Sequence, residues 1–301
     1  MRERLASVYS GPVAENAPLA PLTRFGLGGS ADWLFTPDRE AEVGPLLALL
    51  HEEGMPVTLL GDGCNVLIRD GGIRGAVLRI ARGLSHLHWE GDIARCGAGL
   101  ASALLARRSV EEHRGGLEWA ASLPGNLGGA LRMNAGAYGG CLAEVFHACR
   151  GWSFEGERVE LGKADVRFDY RFSSLSQDLV ITEIELKLPL LPETEWEDSR
   201  TRHQELMDRR AARHPAGMRT AGSTFKNPPE LSAGRLLEEA GLKNRRVGGA
   251  RVSDHHANFI RAEEGATAAD VEALMRLMID EVERMHGVRL RPEVKVYGEE
   301  A

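Results

Sequence analysis

Two glycine-rich runs carry the residues of this chain that are best suited to bind an anion. The first covers residues 59–68 (LLGDGCNVLI) and the second covers residues 120–130 (AASLPGNLGGA). Glycine accepts positive φ angles and lets the main chain approach a ligand closely, so successive backbone N–H groups can converge on a phosphate or pyrophosphate. The chemistry expected of these runs is the binding of a phosphorylated cofactor. A tight turn between two strands is the alternative for either run alone.

The first run does not fit the dinucleotide fingerprint of a Rossmann unit. Gly61 and Gly63 are followed by Val66 where the third glycine should stand. Residues 70–72 (DGG) would also break the helix that a Rossmann unit needs at this place. The cofactor is therefore expected on a different fold.

Further motifs follow in order from about residue 23 to residue 298. Together they resemble the UDP-N-acetylenolpyruvoylglucosamine reductase family, also called the UDP-N-acetylmuramate dehydrogenases. The short spacing from Tyr170 to Ser223 is similar to the type II branch of that family. The motifs are LGDGCNVL at 60–67, GLEW at 116–119 with LPG at 123–125 and GG at 128–129, MNAGAYGG at 133–140, YR at 170–171, AGSTFKNP at 221–228, HANFI at 256–260 and PEV at 292–294.

The resemblance implies an α+β flavoprotein in two parts. Residues 1–193 would form a two-subdomain FAD-binding domain of the vanillyl-alcohol-oxidase (PCMH) type, divided at about residue 80. Residues 194–301 would form a C-terminal α+β substrate-binding domain, whose last strand contributes Glu293 to the active site. Two departures bear on FAD binding, because Asp62 stands where a glycine is usual and Cys64 where serine is common. The implied FAD contacts are Gly61, Asp62, Gly63, Cys64, Asn65, Val66, Leu67, Ser122, Pro124, Gly125, Gly128 and Gly129.

The implied reaction belongs to the synthesis of peptidoglycan precursors. It reduces the enolpyruvyl ether of UDP-N-acetylglucosamine to the lactyl ether of UDP-N-acetylmuramate, with NADPH as co-substrate and tightly bound, non-covalent FAD as intermediary. Hydride passes from NADPH to flavin N5 and then to C3 of the enolpyruvyl group. Negative charge therefore develops at C2, which must be stabilised and protonated.

Three residues match the catalytic positions of the family. Ser223 matches the proton donor, since an enolate carbon is a strong enough base to take a proton from an aligned hydroxyl. Arg171 matches the residue that polarises the substrate carboxylate, a role suited to a permanently charged, forked donor. Glu293 matches the residue that orients the enolpyruvyl group and assists the developing enolate.

Each of these residues also has an ordinary explanation. Ser223 fits a turn serine bonded to its own backbone. Arg171 fits a surface ion pair with Asp169, and Glu293 fits a charge ladder on the solvent face of a strand. The resemblance, not the spacing, favours the catalytic interpretation.

Five more residues are expected on the substrate side. Tyr170 precedes the matched arginine, Lys226 and Asn227 would line the UDP diphosphate pocket, and His256 and Asn258 would contribute nearby. Each of the last four could instead cap a turn or lie at a strand edge.

Composition excludes several classes of function. The chain has 301 residues, of which 43% are apolar, so it can bury a substantial core in two or three units. A net charge of −7 argues against a nucleic-acid binder. No apolar run approaches the roughly 20 residues of a membrane span, and the start lacks a signal-peptide core, so we expect a cytoplasmic protein. The capped helices and the long core favour a monomer. Metal sites are not expected either, because the cysteines show neither CxxC nor zinc spacing and should be free thiols: Cys64, Cys96, Cys141 and Cys149.

Hydrophobic periodicity predicts the elements that must position these residues. Helices are expected at 39–53, 101–112, 196–213 with a stop at Pro215, 233–240, and from a Thr267–Asp270 capping box to Gly287 with an apolar stripe that reaches Met285. Strands are expected at 31–35, 57–60, 76–80, 93–96, 145–146, 152–154, 179–188 with a bulge at 182–183, and 291–297.

Two other functions remain open at this stage. One is a different FAD-dependent oxidoreductase of the same fold, such as an oxidase that uses oxygen. The other is a UDP-sugar-binding protein without catalysis that has lost its flavin. Turnover driven by NADPH without rapid reduction of oxygen would exclude the oxidase. A purified protein without bound flavin would favour the binding protein.

Overall fold

A computed structural model describes residues 2–213 and 217–301 of the chain. Its α-helices in these residues are Arg2–Val8 (α1), Val43–Glu52 (α2), Ser102–Glu111 (α3), Leu127–Arg132 (α4), Leu142–Val145 (α5), Glu193–Arg213 (α6), Ala233–Glu239 (α7) and Ala268–His286 (α8).

The strands are short and alternate with these helices, as in an α+β protein. They are Val13–Pro18 (β1), Ser30–Phe35 (β2), Val57–Leu60 (β3), Val66–Ile68 (β4), Ile73–Arg79 (β5), Leu87–Glu90 (β6), Ile93–Gly97 (β7), Gly136–Ala137 (β8), Gly140–Cys141 (β9), Phe146–Ser153 (β10), Arg158–Gly162 (β11), Phe168–Asp169 (β12), Phe172–Ser173 (β13), Leu179–Lys187 (β14), Arg246–Val247 (β15), Ala250–Val252 (β16), Ile260–Ala262 (β17) and Lys295–Tyr297 (β18).

Contacts divide the chain into two compact units, neither of which is continuous in sequence. The described residues of the first unit are 2–14, 34–61 and 76–213, and those of the second are 15–33, 62–75 and 217–301. The predicted boundary at 193/194 between an FAD domain and a substrate domain stays a prediction.

The first unit contains a five-stranded antiparallel sheet in the order β11-β10-β14-β7-β6. β14 lies at its centre and is the most regularly buried strand. Arg150 is opposite Glu183 and Gly151 is opposite Ile181, so Thr182 is the extra residue of a bulge. The bulge predicted from the change of hydrophobic phase is therefore confirmed. In the same unit β3 and β5 pair in parallel.

In the second unit α8 packs against β15 and β16 of the antiparallel sheet β15-β16-β17, and α7 packs against α8. A separate parallel pair joins β4 to β18. Its core consists of fully buried apolar side chains, among them Phe225, Leu237, Ile260, Leu274 and Met278. Burial of this apolar face, more than helix propensity, is what holds a helix such as α8 in place.

The ends of α8 follow the prediction, but its last turn does not. Thr267 and Asp270 form the reciprocal capping box, and Gly287 ends the helix in the left-handed conformation. Met285 was expected on the apolar stripe, yet 48% of its surface is exposed. The helix extends past the core that its stripe covers, so periodicity alone assigns one methionine too many to the interior.

Three other boundaries need correction. The final strand begins at Lys295, not at residue 291, and Pro292 makes only an isolated bridge to Phe225. Segments 145–146 and 152–154 belong mainly to the single strand β10, and α6 begins at Glu193 instead of 196. Pro215, the predicted stop of α6, lies outside the described residues.

None of the described helices is long and apolar enough to cross a membrane.

Candidate active site

The first glycine-rich run presents unpaired backbone donors. Among the described residues, the N–H groups of Asp62, Gly63 and Cys64 donate to no main-chain carbonyl. Gly63 has φ +60°, and a Cβ there would lie 2.1 Å from the carbonyl oxygen of Leu22, so no other residue fits. Consecutive N–H groups beside a left-handed residue form the concave donor set that binds anions.

The second run presents a similar set. Ser122, Gly125 and Asn126 have N–H groups that donate to no main-chain carbonyl within the described ranges. Gly128 and Gly129 differ, because the N–H of Gly128 donates to Ala98 O at 2.8 Å and that of Gly129 to Asn126 Oδ1 at 3.2 Å. The predicted contacts of Gly128 and Gly129 with FAD would therefore involve Cα, not N–H.

Asn126 of the second run lies against Gly61 of the first, and both residues belong to the first unit. The Asn126 side chain is 4% exposed, caps α4 through Oδ1 and donates from Nδ2 to Ile80 O at 2.7 Å. A Cβ on Gly61 would lie 2.9 Å from this amide. The close approach explains why residue 61 is glycine.

These donors fit the diphosphate of FAD. A pyrophosphate carries negative charge that unpaired N–H groups can satisfy without any side chain, so Asp62 and Cys64 are compatible with the site. Burial raises the pKa of the Cys64 thiol, although the hydrogen bond with Arg24 opposes this effect. The thiol is therefore neutral near pH 7 and adds no repulsive charge to the loop.

Tyr170 and Arg171 form the tip of the hairpin β12–β13. Tyr170 is 50% exposed, and Arg171 has φ +52°, a left-handed conformation that is unusual for arginine. The guanidinium of Arg171 donates to Gly136 O at 3.0 Å and lies 5.4 Å from the ring centre of Tyr170. The hairpin thus holds a charged donor in a defined position.

Ser223 and Glu293 are neighbours in the second unit. The N–H of Glu293 donates to Thr224 O at 2.8 Å, next to Ser223, and Asn65 Nδ2 donates to Glu293 O at 3.0 Å. Ser223 makes an isolated bridge to Phe259, and in the described chain its hydroxyl does not bond to its own backbone. The structure therefore brings two of the three predicted catalytic residues and one flavin-loop residue together.

Asn258 is used to hold the Ser223 segment. It is 3% exposed, its Oδ1 accepts from the N–H of Phe225 at 2.9 Å, and its Nδ2 donates to Phe225 O at 2.8 Å. These two bonds give Asn258 a positioning role. Its predicted contact with substrate stays a prediction.

His256 is exposed and stacks on Phe259 with ring centres 4.7 Å apart. Its Nδ1 accepts from the N–H of Asn258 at 3.2 Å, so the neutral ring carries its proton on Nε2. It lines a cavity of about 390 Å³ beside α7 together with Ser232, Gly234 and Arg235.

Lys226 and Asn227 continue the same segment. The N–H of Lys226 donates to Arg291 O at 2.9 Å, and Asn227 Oδ1 accepts from Ala233 N–H at 3.0 Å at the start of α7. Pro124 is exposed, while Val66 and Leu67 pair with Lys295 and Val296 in the β4–β18 ladder.

Sequence reasoning did not single out two buried asparagines that support the site. Asn126 lies against Gly61 of the first glycine-rich run, and Asn134, 7% exposed, bonds the hairpin of Arg171 through Asp169. Both asparagines stand within or beside the motifs that carry the family resemblance, and this position was the sequence signal available for them.

Comparison with known proteins first identifies the class of fold to which this chain belongs. The protein-family model described as "FAD binding domain" matches residues 31–162. The wild-type BBE-like 1 protein of Physcomitrella patens superposes with a TM-score of 0.56 at 12% identity, over 94% of this chain and 88% of that one. This likeness shows the fold alone, and the fold is of the predicted class.

The family follows from three further matches. The protein-family model described as "UDP-N-acetylenolpyruvoylglucosamine reductase, C-terminal domain" matches residues 214–297. The UDP-N-acetylenolpyruvoylglucosamine reductase of Rhodopseudomonas palustris is 39% identical over 96% of this chain and 92% of that protein. The crystal structure of the Thermus caldophilus reductase superposes with a TM-score of 0.80 at 32% identity, covering 96% of this chain and 99% of that one. The chain belongs to the UDP-N-acetylenolpyruvoylglucosamine reductase family, as predicted.

Proposed function

We propose that this protein reduces the enolpyruvyl ether of UDP-N-acetylglucosamine to UDP-N-acetylmuramate, with NADPH as reductant. Membership of the reductase family supports this function, and the observation that carries it is the adjacency of Ser223 and Glu293 through Thr224 O. FAD, when bound, supplies the transfer of hydride from NADPH to C3 of the enolpyruvyl group. The glycine-rich runs at 59–68 and 120–130 would hold it through their unpaired N–H groups.

The residues of the chain would then handle charge and protons. Hydride addition at C3 leaves an electron pair at C2 that is delocalised into the carboxylate. Arg171 would stabilise this charge, and Glu293 would orient the enolpyruvyl group. Ser223 would donate its hydroxyl proton to C2, forming the C–H bond, and would recover a proton from solvent.

The remaining contacts concern the UDP moiety. Lys226 would contact the diphosphate as a point charge, with Asn227 and Tyr170 beside it. His256 would contribute on the substrate side, and Asn258 would keep the segment in place. We further propose that the enzyme acts in the cytoplasm as a monomer.

Replacement of Ser223 tests this function. In Ser223→Ala, reduction of the flavin by NADPH should keep its rate, while reoxidation by the enolpyruvyl substrate should slow by about 10²–10⁴-fold, the usual contribution of a proton donor. Ser7→Ala, at an exposed serine of α1, is the matched control and should behave like the wild type. Unchanged reoxidation in Ser223→Ala would contradict the assignment.

A further inference from the structure

We infer that Asn134 is a positioning residue that fixes the hairpin carrying Arg171. The inference rests on the proposed function, in which Arg171 contacts the substrate. Asn134 would act on the reaction through Arg171.

Three side-chain bonds join the hairpin β12–β13 to residues 132–136. Ser173 Oγ donates to Arg132 O at 2.9 Å, Asn134 Nδ2 donates to Asp169 O at 3.0 Å, and Arg171 donates to Gly136 O at 3.0 Å. Arg132 is the last residue of α4, Asn134 lies in the turn after it, and Gly136 begins β8. The two bonds besides that of Arg171 lie on either side of the tip, at Asp169 and Ser173.

Asn134 is built for this contact. Its side chain is 7% exposed, and its other polar atom, Oδ1, accepts from Ala143 N–H at 3.0 Å. Its φ is +41°, in the left-handed region that asparagine adopts more readily than most residues. Both ends of the amide are therefore used, one toward α5 and one toward the hairpin.

The hairpin needs such support because its tip is strained and short. Arg171 has φ +52°, and the strands on either side of the tip contain only two residues each. A two-residue ladder cannot hold a left-handed arginine by itself. The bond from Asn134 to Asp169 O, two residues before Arg171, supplies the missing constraint.

Asn134→Asp removes the donor and keeps the size, the acceptor and the tolerance of positive φ. We expect bound FAD and the rate of flavin reduction by NADPH to stay within about threefold of the wild type. Reoxidation by the enolpyruvyl substrate should slow at least tenfold, because only this step uses Arg171. The control is Asn16→Asp, the same change at an exposed asparagine with φ +48°, which should alter neither step.

Coupling to Arg171 separates positioning from general destabilisation. In an Arg171→Ala background, Asn134→Asp should slow reoxidation by no more than about twofold, since the group that it positions is gone. The inference is overturned if Asn134→Asp slows reoxidation in the Arg171→Ala background by as large a factor as in the wild type. It is also overturned if flavin reduction and reoxidation slow equally, or if neither step slows.

Ser173→Ala provides a second variant in case Asn134→Asp does not fold. This variant removes the bond to Arg132 O and should slow reoxidation alone, by about threefold or more. Equal slowing of flavin reduction and reoxidation would overturn the inference. A wild-type protein whose reduced flavin is not reoxidised by the enolpyruvyl substrate would instead refute the proposed function.

Discussion

Asn258 offers the clearest test of how the Ser223 segment is held. Its amide accepts from the N–H of Phe225 at 2.9 Å and donates to the carbonyl oxygen of the same residue at 2.8 Å. Phe225 is 1% exposed, so water cannot replace these bonds without rearrangement. Asn258→Ala leaves two buried main-chain groups unpaired, each at a cost of about 1–3 kcal/mol. We expect the free energy of unfolding to fall by about 3 kcal/mol or more.

Asn258→Asp separates the two bonds. The carboxylate still accepts from the N–H of Phe225, but its second oxygen faces the carbonyl oxygen, and a buried charge without a donor is costly. Uptake of a proton restores a donor. The loss of stability should therefore be largest near neutral pH and shrink as the pH is lowered.

Urea unfolding followed by circular dichroism between pH 5 and pH 8 measures both effects. Asn244→Asp is the control, at an exposed asparagine whose Oδ1 accepts from Arg251 at 3.2 Å and can still do so as a carboxylate. It should change stability by less than about 0.5 kcal/mol. If Asn258→Ala unfolds at the same urea concentration as the wild type, the reasoning about this amide is wrong.

Three further predictions concern the framework of the site. The carboxylate of Asp70 accepts from the first two N–H groups of α8 at 2.9 and 3.0 Å, so Asp70→Asn should lower stability by about 1 kcal/mol in thermal denaturation, and an unchanged midpoint would contradict this. Gly61→Ala places a methyl group 2.9 Å from the amide of Asn126 and should lower the flavin content of the purified protein, which full occupancy would disprove. Burial raises the pKa of Glu183, but hydrogen bonds from Arg150 and His86 outweigh it and hold the pKa below its ordinary value of 4.5. The interaction of Glu183 with Arg150 therefore stabilises the fold at neutral pH, and this stabilisation is lost progressively as the pH falls from about 4.5 through the lowered pKa of Glu183. Arg150→Gln should cost more stability at pH 7 than at pH 3, and an equal cost at both would refute the linkage.

Local signals predicted the local structure well. The capping box and the glycine stop of α8 each involve only residues at one end of the helix, and the bulge at Thr182 follows from a change of phase inside one strand. Met285 was misassigned because a periodic pattern marks a face but not how far the core extends along it.

The supports of the site depend on partners that are distant in sequence. Asn126 bonds Ile80, Asn134 bonds Asp169, and Asn258 bonds Phe225. An asparagine that caps a turn and one that braces another loop have the same local sequence, so the amide alone does not identify its acceptor. Residue types and motifs indicate which segments to expect at the site, which stays a prediction, whereas the bonds that fix those segments required the structure.

The central claim is that reduced flavin in this protein passes hydride to an enolpyruvyl UDP-sugar. An anaerobic absorbance trace tests it directly: the purified protein is reduced with NADPH, enolpyruvyl-UDP-N-acetylglucosamine is added, and the flavin band is followed. The account predicts rapid bleaching by NADPH and full recovery on addition of the substrate. Bleaching without recovery would contradict the substrate assignment, and a colourless protein that does not bind FAD would contradict the flavoprotein assignment itself.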